Sequence, residues 1–298
     1  MDDPAASAEA LPSGAQARSF LGEALFPPPL GDELEANRRA DLATAEAELH
    51  GDPDDPELWI WVGRRQAYLG LYREAIETFS EGLERFPDDP RFLRHRGHRF
   101  LSVREPARAE ADLDLGLAMA RNAPDEIEPD GLPNPQGIPL TTLHFNLWYH
   151  LGLARYIQGD WEGAAQAWAG CMEVSTNPDL RVATGYWLYL TRQRLGLDDE
   201  ARALLVDLPE SDEIIENDSY LHLLEVFAGE RDPDSLVNRD DPDSLGAATV
   251  AYGIAMHHLF EGRDDDARAV MQRVLDQPNQ WAAFGYMAAE AQVARAGW

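Results

Sequence analysis

The sequence predicts an all-α protein, a solenoid of stacked helix-turn-helix units ended by a C-terminal cap helix. Three observations predict it. Pro53-Asp54-Asp55-Pro56 recurs as Pro87-Asp88-Asp89-Pro90, a shift of 34 residues, and the same shift carries Gly63 to Gly97, Ala75 to Ala109, Phe79 to Leu113 and Gly82 to Gly116. Each period holds two stretches with apolar residues at helical spacing. A proline stands at each joint. Paired helices repeated at such a period cannot bury their apolar faces alone, so neighbouring units must stack.

The totals suit such an object. The chain has 298 residues, 44% of them hydrophobic, and a formal net charge of −29. No apolar run is long enough to span a bilayer. The negative charge argues against nucleic acid and anionic membrane as partners, because like charges repel. All 25 basic residues other than histidine are Arg. The single cysteine, Cys171, excludes an intrachain disulfide and any multi-cysteine metal site. It takes a small-residue packing position, which reads as core.

Residues 1–30 are expected to form an extended arm. Its first part is rich in Ala, Ser, Asp and Pro, without the basic cluster and apolar centre of an export signal. The chain is then either cytoplasmic or exported with its signal already removed, and the tail resembles the start of a mature exported chain. Ser19 to Phe26 is apolar enough to dock on the body, and Pro27-Pro28-Pro29 forces an extended path. From Asp32 to His50, Leu34, Leu42, Ala45 and Leu49 form a helical stripe that Gly51-Asp52-Pro53 stops.

From there the units resemble the tetratricopeptide repeat family. Trp59, Val62 and Gly63 look like the large, apolar and small positions of its first helix; Gly70 and Tyr72 resemble its turn; Ala75, Phe79 and Gly82 resemble its second helix, with Pro87 closing the unit. Gly63, Ala75 and Gly82 are small where two helices approach closely, and Trp59 and Phe79 fill the space between turns. Trp148, Gly152, Gly159, Ala164, Trp168 and Cys171 repeat the pattern, and Gly196, Gly229 and Gly262 mark weaker units. The resemblance implies a right-handed superhelix over residues 31–298, with units near 56–89, 90–121, 145–178, 182–210, 215–237 and 248–279. Trp281 to Ala296 would be the cap.

One departure breaks the period. Gly97 and Gly152 lie 55 residues apart, 21 more than one period; the excess, Asn122 to Thr142, is Pro- and Gly-rich and sets an inserted loop at 122–143. Loops of that length in compact folds are disordered or functional. Its stiffness points to an ordered loop over the groove.

The richest chemical signal is Arg91 to Arg104, with five arginines, two histidines and no acid. Arg91, Arg94, His95, His98 and Ser102 share one helix face, opposite Leu93, Gly97 and Phe100. The resemblance implies that first helices line a concave surface where ligands bind. Arg64 and Tyr68 take that side in the first unit; Asn146, Tyr149 and His150 in the third; Trp187 in the fourth; Tyr252 in the sixth. Arg96 stands in an aliphatic slot and reads as architectural, and Arg99 falls between the two faces.

Convergent guanidinium groups suit carboxylates or phosphates, because each offers a planar fork of donors that stays charged. The expected function is therefore a non-catalytic recognition module, gripping an anionic or carboxylate-bearing peptide or a small anionic ligand in a basic, aromatic groove. Two alternatives stand beside it. One is an enzyme using His95, His98 and His150 with arginine in a lidded pocket; the other is a scaffold whose arginines all pair internally. No phosphate loop, dinucleotide fingerprint or nucleophile elbow occurs, so no cofactor is expected. His95 and His98 could share an ion, but no zinc-protease motif supports a metal.

Overall fold

A computed structural model describes residues 10–236 and 245–298 of the protein. Residues 1–9 of the expected arm and residue 237 of the expected fifth unit lie outside that range. The remainder of the arm is not simply extended. It makes a short antiparallel hairpin, β1 (Ala17–Arg18) against β2 (Ala24–Leu25).

Thirteen α-helices follow among the described residues. They are α1 (Asp32–Gly51), α2 (Pro56–Tyr68), α3 (Tyr72–Arg85), α4 (Pro90–Ser102), α5 (Pro106–Ala120), α6 (Leu143–Gln158) and α7 (Trp161–Val174). After these come α8 (Pro178–Arg194), α9 (Asp198–Arg202), α10 (Asp218–Ala228), α11 (Leu245–Phe260), α12 (Asp264–Leu275) and α13 (Phe284–Ala296). Most helices pack chiefly on their neighbours in sequence, as a solenoid requires, while α10 packs most on α8 and α13 most on α11.

The repeated Asp-Pro pair is a helix start. Asp55 accepts the amide of Glu57 at 2.9 Å and Asp89 that of Arg91 at 3.0 Å, each with proline in the first turn where no amide is needed. The small positions sit where two helices touch. A Cβ on Gly63 would lie 2.4 Å from the Phe79 ring, and one on Gly152 2.7 Å from Trp168. In the weak fourth and fifth units the second helix shrinks: α9 passes into a 3-10 turn at Ala203–Leu205, and Pro233–Leu236 is itself a 3-10 turn.

The C-terminal helix does more than cap. α13 packs on α11 and α12 and also reaches α6, and every residue from Gly285 to Val293 is buried. The segment before it meets the N-terminal arm. Trp281 Nε1 donates to the Phe26 carbonyl at 2.6 Å, and the Trp281 ring stands edge-on to Tyr72 at 5.3 Å. The superhelix thus folds its last element back against its first units, and its inner face is filled well beyond a terminal cap.

The loop at residues 121–142 between α5 and α6 is ordered by its own bonds. The Glu128 amide donates to the Thr141 carbonyl at 2.9 Å, and Asp125 accepts from Thr142 Oγ1 at 2.8 Å and the His144 amide at 3.1 Å. It lies across the open side of α2 and α4, close enough that a Cβ on Gly131 would sit 2.1 Å from the Tyr68 hydroxyl.

Candidate functional site

Two small spaces adjoin Arg64 and Arg94, and the loop lines only one of them. The inner one, about 160 Å³, is lined by Arg64, Ala67, Tyr68, Phe79, Arg94, His95, His98 and Arg99. No acid lines it. The outer one, about 220 Å³, lies against the loop and adds Glu128, Asp130 and Glu216.

α2 and α4 run side by side one period apart, so side chains at equivalent positions project into the same space. Arg64 lies over the Trp61 ring at 4.3 Å and donates from Nε to Tyr68 Oη at 3.3 Å. Arg99 lies over Tyr72 at 5.2 Å. Neither forms an ion pair with an acid among the described residues. Arg94 does: its Nη2 is 2.6 Å from Glu128 Oε2.

Burial lowers the Arg99 pKa to about 10, with Arg94 and Arg64 adding to the effect. Arg94 is lowered by burial too, although Glu128 opposes this. His95, His98 and His150 lie well below the ordinary histidine value, first through burial and then through the adjoining arginines, so at neutral pH all three are uncharged.

Bond partners set the histidine tautomers. Arg94 Nη1 is 2.9 Å from His95 Nδ1, and because a guanidinium only donates, His95 carries its proton on Nε2. His150 Nδ1 is 2.6 Å from the Asn146 carbonyl and must donate, which leaves Nε2 as an acceptor. The His98 and His150 rings lie 4.1 Å apart, with Phe284 of α13 packed on both. The C-terminal helix therefore packs behind the histidine side of the pocket.

The predicted residues divide into those the structure gathers and those it does not. Arg64, Tyr68, Arg94, His95 and His98 come together around the inner space, with His150 behind His98. Asn146 stands at the rim, donating to Glu128 Oε2 at 2.9 Å. Arg91 is drawn aside by Glu57 at 2.7 Å and Asp89 at 2.6 Å. Ser102 is turned back onto the His98 carbonyl of its own helix at 3.4 Å.

The aromatic half of the expected groove is corrected more strongly. Trp187 and Tyr252 are 0% and 1% exposed, in a sealed core. Trp187 Nε1 donates to Tyr149 Oη at 2.9 Å, and Tyr252 shares a 2.8 Å bond with Tyr156. Tyr149 is buried as well, bonded to Tyr220 Oη at 3.0 Å. The physical reason is the returning chain: with α13 inside, the large rings meet protein where an open solenoid would offer them solvent.

Sequence reasoning missed one participant, Glu128, left Arg99 undecided, and also missed Arg104, which lies outside both spaces on Glu290. Arg99 faces the pocket; its angular position on α4 allowed either side. Glu128 comes from a loop, where no periodicity says which side chain turns inward. Arg104 takes the place that Gly70 holds one period earlier, and that exchange of glycine for arginine was a readable signal. Arg96 forms a two-bond pair with Asp112, at 2.7 and 2.8 Å, and belongs to the architecture.

Among the described residues, no group of three or more His, Cys, Asp or Glu side chains is placed to hold a metal. No described helix is long and apolar enough to cross a membrane.

No family model and no curated protein matches the chain. Solved structures do resemble it. A tetratricopeptide repeat protein from Parabacteroides merdae is similar with a TM-score of 0.52 at 14% identity, covering 88% of this chain and 98% of that one. YrrB, described as a TPR protein with an unusual peptide-binding site, has a TM-score of 0.44 at 12% identity, covering 80% and 95%. The MamA protein has a TM-score of 0.43 at 15% identity, covering 67% and 92%. The first likeness, with the repeat itself, shows the fold to be a tetratricopeptide-repeat solenoid.

Proposed function

We propose that this tetratricopeptide-repeat solenoid is a non-catalytic recognition module that takes a small anionic group in the inner pocket. The ligand is a carboxylate-bearing peptide end or a small anion. The observation that carries the reading is that three guanidinium groups, Arg64, Arg94 and Arg99, line one space that no acid lines. Gathering three like charges is unfavourable, and Glu128 forms an ion pair with only one of them. An anion supplies the missing charge and accepts charge-assisted bonds from donors already in place.

Size narrows the ligand further. A space of about 160 Å³ is below the range of drug-sized pockets and suits a head group. A peptide would insert only its acidic end, and the body of the partner would lie outside. Neutral His95 lines the pocket with its proton on Nε2 and so adds a donor without adding charge.

The enzyme reading has one observation in its favour: the histidines cluster in a covered pocket beside arginines. Yet the His95 and His150 Nδ1 atoms are taken up by Arg94 and by a backbone carbonyl, and neither ring is oriented by a carboxylate as a general base ordinarily is. The scaffold reading requires every arginine to pair internally, which Arg64 and Arg99 do not do among the described residues. Recognition is the better account.

A direct test is the melting temperature of the full chain in succinate, inorganic phosphate and neutral succinamide. Binding to the native state raises stability with ligand concentration. The anions should raise the melting temperature of the wild type and fail to do so in Arg64→Ala/Arg99→Ala. Equal responses from wild type and double variant would sink the proposal.

A further inference from the structure

The carboxylate beside the pocket, paired with Arg94, is not part of the helical scaffold. Glu128 arrives on the loop, and its Oε2 receives Arg94 Nη2 at 2.6 Å and Asn146 Nδ2 at 2.9 Å. The Arg94 and Glu128 side chains are only 12% and 11% exposed. Even so, Glu128 Oε1 and Arg94 Nε are both buried without a hydrogen-bond partner. Such orphaned atoms are uncommon in a settled buried pair and carry a desolvation cost.

The protein's permanent pairs look different. Asp112 uses both oxygens on Arg96, at 2.7 and 2.8 Å, and Glu290 uses both on Arg104, at 2.9 and 3.2 Å. Glu128 uses one oxygen and strands the other. Its seat has donors for a carboxylate, but this carboxylate does not fill it.

The loop has few other attachments to the body. Ile127, Leu132 and Ile138, three of its large apolar side chains, are 59%, 56% and 45% exposed, so they contribute little burial. Asn134 touches Glu216 at 3.2 Å and Asn177 holds the Leu140 carbonyl at 3.1 Å, both toward the rim. Asp125 ties the base of the loop to α6, accepting the His144 amide at 3.1 Å, and Glu128 is the charged anchor at Arg94.

We propose that Glu128 is an internal stand-in for the ligand: it holds the loop over the arginine pocket, and an incoming carboxylate takes its place on Arg94 and Asn146 and releases the loop. The proposal rests on the reading of the pocket as an anion seat. It adds a coupling between ligand and loop. The ligand must compete with a tethered carboxylate, which weakens its apparent affinity by the fraction of molecules in which the seat is open. Loop release and ligand binding then favour each other reciprocally.

The test uses the full chain and succinate as the probe. By calorimetry, Glu128→Gln, which keeps the shape and removes the charge, should bind succinate roughly 10-fold or more tightly than wild type. In the wild type, saturating succinate should speed hydrogen exchange at the Glu128 and Leu143 amides, which bond to the Thr141 and Glu126 carbonyls. The exchange measurement needs no variant and decides the matter even where Glu128→Gln folds poorly. Binding abolished by Arg99→Ala but unchanged or weaker in Glu128→Gln, or exchange that is unchanged or slowed by succinate, overturns the stand-in role alone. Absence of succinate binding to both wild type and Glu128→Gln, or full binding by Arg99→Ala, overturns the pocket reading and this proposal with it.

Discussion

Arg104 Nε meets Glu290 Oε2 at 2.9 Å across 186 residues of chain, and the two side chains are 2% and 1% exposed. Arg104 also donates from Nη2 to the Trp281 carbonyl at 2.6 Å and from Nη1 to the Ser102 carbonyl at 2.9 Å. The buried charge is thus fully engaged. This clasp joins the turn after α4 to the returning α13. Arg104 adopts a left-handed φ of 65°, where Gly70 one period earlier has 76°. An L-residue there costs on the order of 1–3 kcal/mol, and the clasp offsets it.

Glu290→Ala should therefore leave an uncompensated guanidinium sealed in the interior. The expected loss of stability is roughly 3–5 kcal/mol, read from urea unfolding. A loss below about 1 kcal/mol would mean that water reaches Arg104 and that the clasp is looser than it stands here.

Gly285 tests the same closure by packing alone. A Cβ there would lie 2.6 Å from the Ala248 carbonyl oxygen and 2.7 Å from Thr249 Cα, both backbone atoms that cannot turn aside. Gly285→Ala should cost about 1–3 kcal/mol in the same measurement. A neutral substitution would show that α13 shifts away from α11 at little cost.

Arg99 and Arg91 should separate sharply in anion binding. Arg99 lines the inner pocket without an ion-pair partner among the described residues, whereas Arg91 is engaged by Glu57 and Asp89 away from it. Arg99→Ala is expected to weaken succinate at least about 10-fold, the scale of one charge-assisted bond, and Arg91→Ala less than about 2-fold. The reverse ranking, measured by calorimetry, would move the site out along α4.

Acid should destabilise the fold through the three buried histidines. In the unfolded chain they protonate near 6.5, the ordinary histidine value, and in the folded chain only well below it. Between those limits the unfolded state binds more protons, so stability is complete above about pH 6.5 and falls as pH drops. Each histidine contributes a slope of up to roughly 1.4 kcal/mol per pH unit. Urea midpoints from pH 7.5 to 5 measure this, and a flat profile would show the rings to be solvated.

Cys171 should be inert in the native state. Burial raises its thiol pKa to about 12, and Sγ lies 3.3 Å from Thr184 Oγ1 in the core. Iodoacetamide at pH 8 should leave it unmodified under native conditions and alkylate it in urea, followed by mass spectrometry. Rapid native modification would contradict its burial.

Much of the solenoid was legible because its information is local and periodic. The Asp-Pro starts are seen at Asp55 and Asp89, the turn glycines at Gly70 and Gly159, and the close contacts at Gly63 and Gly152. Each follows from backbone geometry or side-chain volume within one unit. The basic face of α4 was legible for the same reason, since helical spacing alone groups Arg94, His95 and His98. Trp187 and Tyr252 could not be placed that way, because a helix face reads the same whether water or another helix lies against it.

By itself, then, the sequence determined the repeat, the order of its helices and the α4 stripe from which a site could be built. Only the tertiary structure decided which arginines stay without an ion-pair partner, because pairing depends on segments brought from far along the chain. Glu57 removes Arg91, Glu290 removes Arg104, and a loop supplies Glu128 to Arg94. The return of α13 decided the rest: it converted an expected open groove into a sealed aromatic core with small arginine-lined spaces at its edge. Long-range contacts of this kind follow no sequence period, since they are set by how the superhelix closes and not by any one turn of it.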